Sequence, residues 1–368
     1  MTTGFLFHEK YMWHATGEQW LPTEGEPYTQ PLAHVENPET KRRFKNLLDA
    51  SALAEVLVPL KPRMATVEEI ARVHEAAYIQ RIADLSARDG GEAGFGTPFG
   101  RGGYEIALLS AGGLLAATDA VMMGQVQNAY ALARPPGHHA LPHTGYGFCI
   151  FNNFAIAIRA AQKQYGLKRI ALIDWDAHHG NGAQTIFYNE PNVLTISLHQ
   201  DRCYPRESGL LSEAGEGAGY GYNLNLPLPP GSGHGAYLAA FERVVIPALR
   251  RYQPELILVA SGFDANYFDP LSRLMAYSET FRQMTRWLVE VAAEFCNGRI
   301  VMGHEGGYSP AYVPFCGLAV MEELSGASSG ITDPFLHVCD NAGGQTLQPH
   351  QAAMLAEAET HLAWITAI

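Results

Sequence analysis

The stretch RIALIDWDAHHGNG (169–182) passes from an apolar run directly into two acids and two histidines. Hydrophobic throughout rather than alternating, RIALID (169–174) reads as a strand covered on both faces, as in a parallel sheet. Beyond it Asp174, Asp176 and His178 stand at i, i+2 and i+4, so in extended geometry their side chains project the same way. Titratable groups gathered at the end of a buried strand suit an open α/β sheet, where ligands lie beyond the carboxyl ends of the strands.

Similar runs recur on either side: AYALA (129–133), VLTISL (193–198), YNLNLPL (222–228), LILVAS (256–261) and RIVMG (299–303). Helix-like segments alternate with them at 105–124, 153–166, 237–252 and 278–295. This order predicts one α/β domain spanning 1–368, with a mostly parallel central sheet flanked by helices on both faces. Four strands lead into polar loops, RPPGHHALPHTGYGF (134–148), DWDAHHGNG (174–182), GFDANYFDP (262–270) and HEGGYSP (304–310), and all four should converge on one rim. The segment 64–82 reads as a helix capped by Thr66, with His74 on its surface. GTPFGRGGYE (96–105) lacks the GK[ST] of a phosphate loop and is expected at the rim.

Composition narrows the function classes. The 368 residues are 47% hydrophobic and 17% charged, and 25 basic against 37 acidic residues give a net charge of −12. That balance disfavours nucleic acid and anionic membranes as partners. Five cysteines without a CxxC pair argue against a disulfide framework or a zinc knuckle and suit a reducing compartment. The N-terminus lacks a signal-peptide pattern, and no uninterrupted apolar run approaches the ~20 residues of a spanning helix, so a soluble cytoplasmic protein is expected. The segment 8–30, with Trp13, His14 and Trp20, is a candidate for the mouth of the site or for a subunit contact, and a homo-oligomer is the expected assembly.

The chemistry follows from residue types. A carboxylate and an imidazole on one side of an extended segment are half of a metal site, and Asp264 in SGFDA is the candidate third ligand. An oxygen and nitrogen set without cysteine suits a hydrolytic, Lewis-acidic zinc rather than a structural one. At the same rim, His138 or His139 could take a proton from water and return one to a leaving amine, with Asp174 and Asn181 available to fix a ring tautomer. HEGGYSP is not half of an HExxH helix, because its glycines break the helix and Tyr308 replaces the second histidine. Tyr308 on a Gly-Gly hinge is instead a candidate oxyanion donor. Each residue also has a plain structural reading, as a helix cap, a surface histidine or a packed tyrosine.

RPPGHHA, GFCIFNN, DWDAHHGNG, TISLH, SGFDA and EGGYS, in this order, resemble the arginase/deacetylase superfamily, and more narrowly the bacterial class II histone deacetylase-like amidohydrolases. The resemblance covers about residues 134–309, with NPETKRR (37–43) and FCGLAVMEELSG (315–326) fitting as well. It implies a zinc-dependent amidohydrolase that removes an acyl group from an amine such as acetyl-lysine, its substrate a small molecule or a peptide. Asp176, His178 and Asp264 would hold zinc. His138 would be held by Asp174 and His139 by Asn181, where many relatives carry aspartate. Tyr308 would polarise the amide carbonyl. Gly147, Phe148 and Tyr204 would wall the acyl-lysine channel, where the family usually has phenylalanine at the position of Tyr204, and Leu271 would sit at its mouth. A potassium ion near the zinc would use Asp174, Asp176, His178, Ser197 and Leu198, and Arg43 would lie near an internal acetate cavity. An acetylpolyamine amidohydrolase, with mouth glutamates such as Glu18, Glu24 or Glu105, is the enzymatic alternative, and a non-catalytic sensor of acetylated ligands is the alternative of another class. The arginase branch is disfavoured, since a second metal-ligand set is missing.

Overall fold

Eight parallel strands form the central sheet: β1 (Thr3–Phe7), β2 (Val58–Leu60), β3 (Asn128–Leu132), β4 (Ile170–Asp174), β5 (Val193–Gln200), β6 (Asn223–Leu228), β7 (Leu256–Ser261) and β8 (Ile300–His304). Their order is β6-β5-β4-β7-β8-β3-β1-β2. The computed structural model describes residues 2–18, 30 and 32–366. Every residue of β3, β4, β5, β7 and β8 is buried. The sheet divides the core in two, as the period-two alternation of a strand requires. Ala171 and Ile173 of β4 pack into one apolar cluster and Ile170 and Leu172 into the other, and Ile257 and Val259 of β7 part in the same way from Leu256 and Leu258. Each fully buried Ile or Leu contributes about 1.5–3 kcal/mol, so this two-sided burial fixes the register of the strand ends.

The helices that cover the faces begin and stop where their sequence says. α1 (Glu39–Asp49) turns Lys41, Phe44 and Leu48 inward at helical spacing. α2 (Gly103–Met122) is long and apolar enough to cross a membrane by length and composition, but 78% of its most apolar window is buried in the fold, as a core helix would be. α3 (Asn153–Tyr165) starts where the Asn152 side chain accepts the Ala155 amide and ends at Gly166 in the left-handed conformation. α4 (Asn181–Phe187) follows the metal-like loop, α5 (Ser278–Phe295) matches its sequence boundaries, and α6 (Val313–Ser325) packs beside α5.

Two sheet strands escape the sequence reading. β1 has Gly4 at its second position, and β2 is only three residues long with Pro59 on the sheet edge, so neither carries a periodic signal. The segment 64–82 is not one helix. Thr66 and Glu69 form a capping box over Val67–Ile70, and a second helix starts at Ala76. His74, expected on the surface, is buried in the break, where its Nε2 accepts the Asn152 amide at 2.9 Å.

Candidate active site

Parallel pairing sets Asp174 of β4 opposite Ala260 of β7, Ser261 of β7 opposite His304 of β8, and Gly303 of β8 opposite Ala131 of β3. The loops that leave these strands therefore start level with one another, and the polar residues of all four meet on one floor. Asp176, His178 and Asp264 each place a ligand atom there, all within 4.8 Å of one another and all buried. His178 Nδ1 lies 2.9 Å from Asp264 Oδ2 and 3.1 Å from Asp176 Oδ1. Backbone amides aim the carboxylates: His178 N–H and Gly306 N–H donate to the two oxygens of Asp176 at 2.9 and 2.8 Å, and Ala177 N–H donates to Asp264 at 2.6 Å. A side chain at Gly306 would collide with both carboxylates, which explains the glycine. Burial first and the neighbouring Asp176 second push the Asp264 carboxyl up. Two carboxylates and an imidazole enclosed in this way form an oxygen and nitrogen cage that a divalent cation fits, because the cation offsets their desolvation and mutual repulsion.

Two histidines border the cage with their rings 4.0 Å apart. His138 Nδ1–H donates to Asp174 Oδ2 at 2.8 Å, and His139 Nδ1–H donates to Asn181 Oδ1 at 2.7 Å. Both bonds leave Nε2 as the free ring nitrogen, and the partners then separate the two rings. Burial disfavours the charged form of His138, but Asp174, Asp176 and Glu305 outweigh it and push its pKa up to about 10. For His139, burial and the charge on His138 act together, holding it well below the usual histidine range. A neutral amide partner cannot reverse that. One imidazole is thus a cation holder and the other a neutral acceptor.

Above the floor opens a cavity of about 530 Å³, a size suited to a small ligand. His139, His178 and Tyr308 stand at its base, and Gly147, Phe148, Tyr204 and Leu271 line it. Gly147 and Phe148 both take positive φ, 48° and 70°. Such a pair is uncommon for a bulky residue, and here it packs the Phe148 ring edge-on against Tyr308 with centroids 5.9 Å apart. Tyr204 covers the other wall, its ring 5.1 Å from His139 and 5.3 Å from Tyr146. Of the rim loop 96–105, only Gly96 reaches the cavity, beside Phe95, while Pro98–Gly100 pairs with Gly90–Glu92.

The structure therefore gathers Asp174, Asp176, His178, Asn181, Asp264, His138, His139 and Tyr308 at one end of one cavity. Ser197 is buried beside Asp174 through the strand pairing, and Leu198 follows it. Arg43 stands elsewhere: its side chain is 58% exposed and pairs with Glu39 on the outside of α1. The helical phase of α1 turns Lys41 inward instead. Lys41 Nζ lies 3.1 Å from Glu36 and 5.7 Å from the Tyr308 ring centre, and Arg134 closes the buried ion cluster with two bonds to Glu36. Glu105 accepts the Ser86 hydroxyl and Glu18 is not among the cavity-lining residues, while Glu24 and Trp20 lie outside the described residues. His179, next to the cage residue His178, bonds Ser208 and Gln184.

Two supports went unread in the sequence. Asp269 is buried and accepts the amides of Leu271 at 2.9 Å and Tyr308 at 2.7 Å, tying the mouth to the floor. Glu305 accepts the Gly137 and His138 amides, fixing the histidine loop to the loop after β8. Both stand in quoted loops, GFDANYFDP and HEGGYSP, so an acid flanked by chemically used residues was the available signal.

Comparison with known proteins adds to this geometry. The histone deacetylase domain model matches residues 34–324. A histone deacetylase-like amidohydrolase of Pseudomonas aeruginosa is 52% identical over 335 residues, covering 90% of this chain and 88% of the relative. A probable deacetylase of Archaeoglobus fulgidus is 37% identical over 341 residues, covering 91% and 89%. Among solved structures, the crystal structure of the HDA15 HD domain superposes with a TM-score of 0.85 at 29% identity, covering 99% of this chain and 97% of that one.

Proposed function

The chain belongs to the histone deacetylase family, and from that premise we propose that it is a zinc-dependent amidohydrolase, one domain over 1–368, which cleaves the acyl group from an N-acylated amine of the acetyl-lysine type. The observation that carries the reading is the meeting of a buried Asp176–His178–Asp264 cage with His139 and Tyr308 at the base of one cavity. Zinc held by those three residues would supply a Lewis acid that polarises the amide carbonyl and acidifies water. By the family resemblance, a potassium ion would use Asp174, Asp176, His178, Ser197 and Leu198.

The chain's own residues would do the rest. Phe148 and Tyr204 exclude water from the methylene chain of the substrate and hold it on line with the floor. His139, neutral and presenting a bare Nε2, accepts the proton of the attacking water. Tyr308 donates its phenolic hydrogen to the oxygen on which negative charge grows. His138, kept charged by Asp174, stabilises the negative charge that grows beside it, and the leaving nitrogen takes a proton from the histidine pair. The products are the free amine and a carboxylate.

Removal of bound metal by a chelator, followed by zinc addition, should abolish and restore hydrolysis of an acetyl-lysine peptide. Metal content should track activity near one zinc per chain. Full activity in metal-free protein would overturn the reading. Acetylputrescine run alongside tests the polyamine alternative, for which a clear preference would count.

A further inference from the structure

Among the described residues, only two that line the cavity above its floor carry a full charge, and they carry opposite ones: Arg206 and Glu207. Both are exposed. Among the described residues neither side chain has a hydrogen bond or ion pair. Phe95, Gly96 and Leu271, which also line the cavity, offer no polar side chain.

This pairing is a poor match for two of the ligand classes such a cavity could take. A polyamine carries a second ammonium, which Glu207 attracts but Arg206 repels. A lysine inside a peptide brings only neutral amides to the mouth and leaves both charges unanswered. A ligand with one positive and one negative group on the same carbon answers both, and the mismatch with the others adds discrimination even where the attraction is modest.

We propose that the preferred substrate is a free Nε-acyl-lysine-type amino acid, with Glu207 receiving its α-ammonium and Arg206 its α-carboxylate. The inference rests on the amidohydrolase reading above and narrows it from acyl-amines in general to zwitterionic ones. The reaction would add water across the side-chain amide: the C–N bond breaks, a C–O bond forms, and free lysine and acetate leave.

The test uses the zinc-loaded full chain and four substrates: Nε-acetyl-lysine, its Nα-acetyl derivative, its carboxamide, and the doubly blocked form. The parent protein should favour the free amino acid, with each blocked group raising KM roughly two- to fivefold, the range expected of exposed ion pairs. Arg206→Gln should erase the preference for a free carboxylate while keeping that for a free ammonium, and Glu207→Gln should do the reverse. High salt should compress both preferences. Equal kcat/KM for the free and doubly blocked forms, or variants that shift all four substrates alike, would overturn this inference and leave the amidohydrolase reading intact. No turnover of any of the four would overturn both.

Discussion

At the floor of the cavity the titratable side chains are buried and the carboxylates and imidazoles are held by hydrogen-bond partners; at the mouth, Arg206 and Glu207 are exposed and, among the described residues, hold nothing. The floor stands on strand ends whose register is fixed by two-sided burial, and backbone amides aim its carboxylates. The mouth stands on loops. The first construction suits chemistry, where a displacement of a fraction of an ångström is costly, and the second suits selection, where small energies suffice.

That division puts the largest effects at the floor. Asp264→Ala should abolish both metal content and turnover, because it removes a ligand and leaves Asp176 and His178 facing an incomplete cage. Metal analysis beside an activity assay checks this, and retained stoichiometric zinc would break the assignment. Tyr308→Phe should lower kcat by about 10²–10³, equivalent to about 2.7–4 kcal/mol, with the melting temperature held. Burial raises the Tyr308 hydroxyl well above the usual phenol range, so it reacts as a donor and not as an anion. A kcat within threefold of the parent would mean that another group meets the oxyanion.

Asn181→Ala is smaller and sharper. It frees the His139 ring while leaving the cage untouched, and a loss of about 10–100-fold is expected, as for other groups that orient a functional histidine. Asn181→Asp places a carboxylate at the same nitrogen and should move the acidic limb of the pH–rate profile upward, since it stabilises the imidazolium that the parent site disfavours. An unmoved limb would exclude His139 as the titrating base.

The same division governs what the sequence discloses. Most of strands β3 to β8, and the residues just past their ends, were legible because burial on both faces leaves a continuous apolar run, and the polar residues that follow stand out against it. The cage, both histidines and Tyr308 come from such places. Arg43 was misplaced because a helix start offers no strand register: only the phase of α1, visible in three dimensions, shows Lys41 turned inward and Arg43 outward. Arg206 and Glu207 were passed over because charges in a loop are ordinarily solvated, and nothing local distinguishes these two. Asp269 and Glu305 act through backbone amides distant in sequence, Tyr308 and Gly137, so their partners have no sequence signature.

His74 offers the gentlest probe of how firmly the floor is held. Its Nε2 takes the Asn152 amide, and the Asn152 side chain in turn donates to the Ala140 carbonyl at 3.1 Å, just past His138 and His139. Burial pushes the His74 pKa down to about 4, against about 6.5 in an unfolded chain. Between those values the unfolded state binds a proton that the folded state does not, so stability is full above about pH 6.5 and declines as pH falls toward 4. At pH 5 the loss from this one residue is about 2 kcal/mol. Urea unfolding of the parent and of His74→Gln at pH 7.5 and 5 measures it: the variant should be weaker at pH 7.5 yet lose about 2 kcal/mol less on acidification. Hydrogen exchange over 138–153 should quicken in the parent at pH 5 before the 203–207 loop changes. Equal acid sensitivity in the two proteins would show that His74 takes up its proton without loosening the floor.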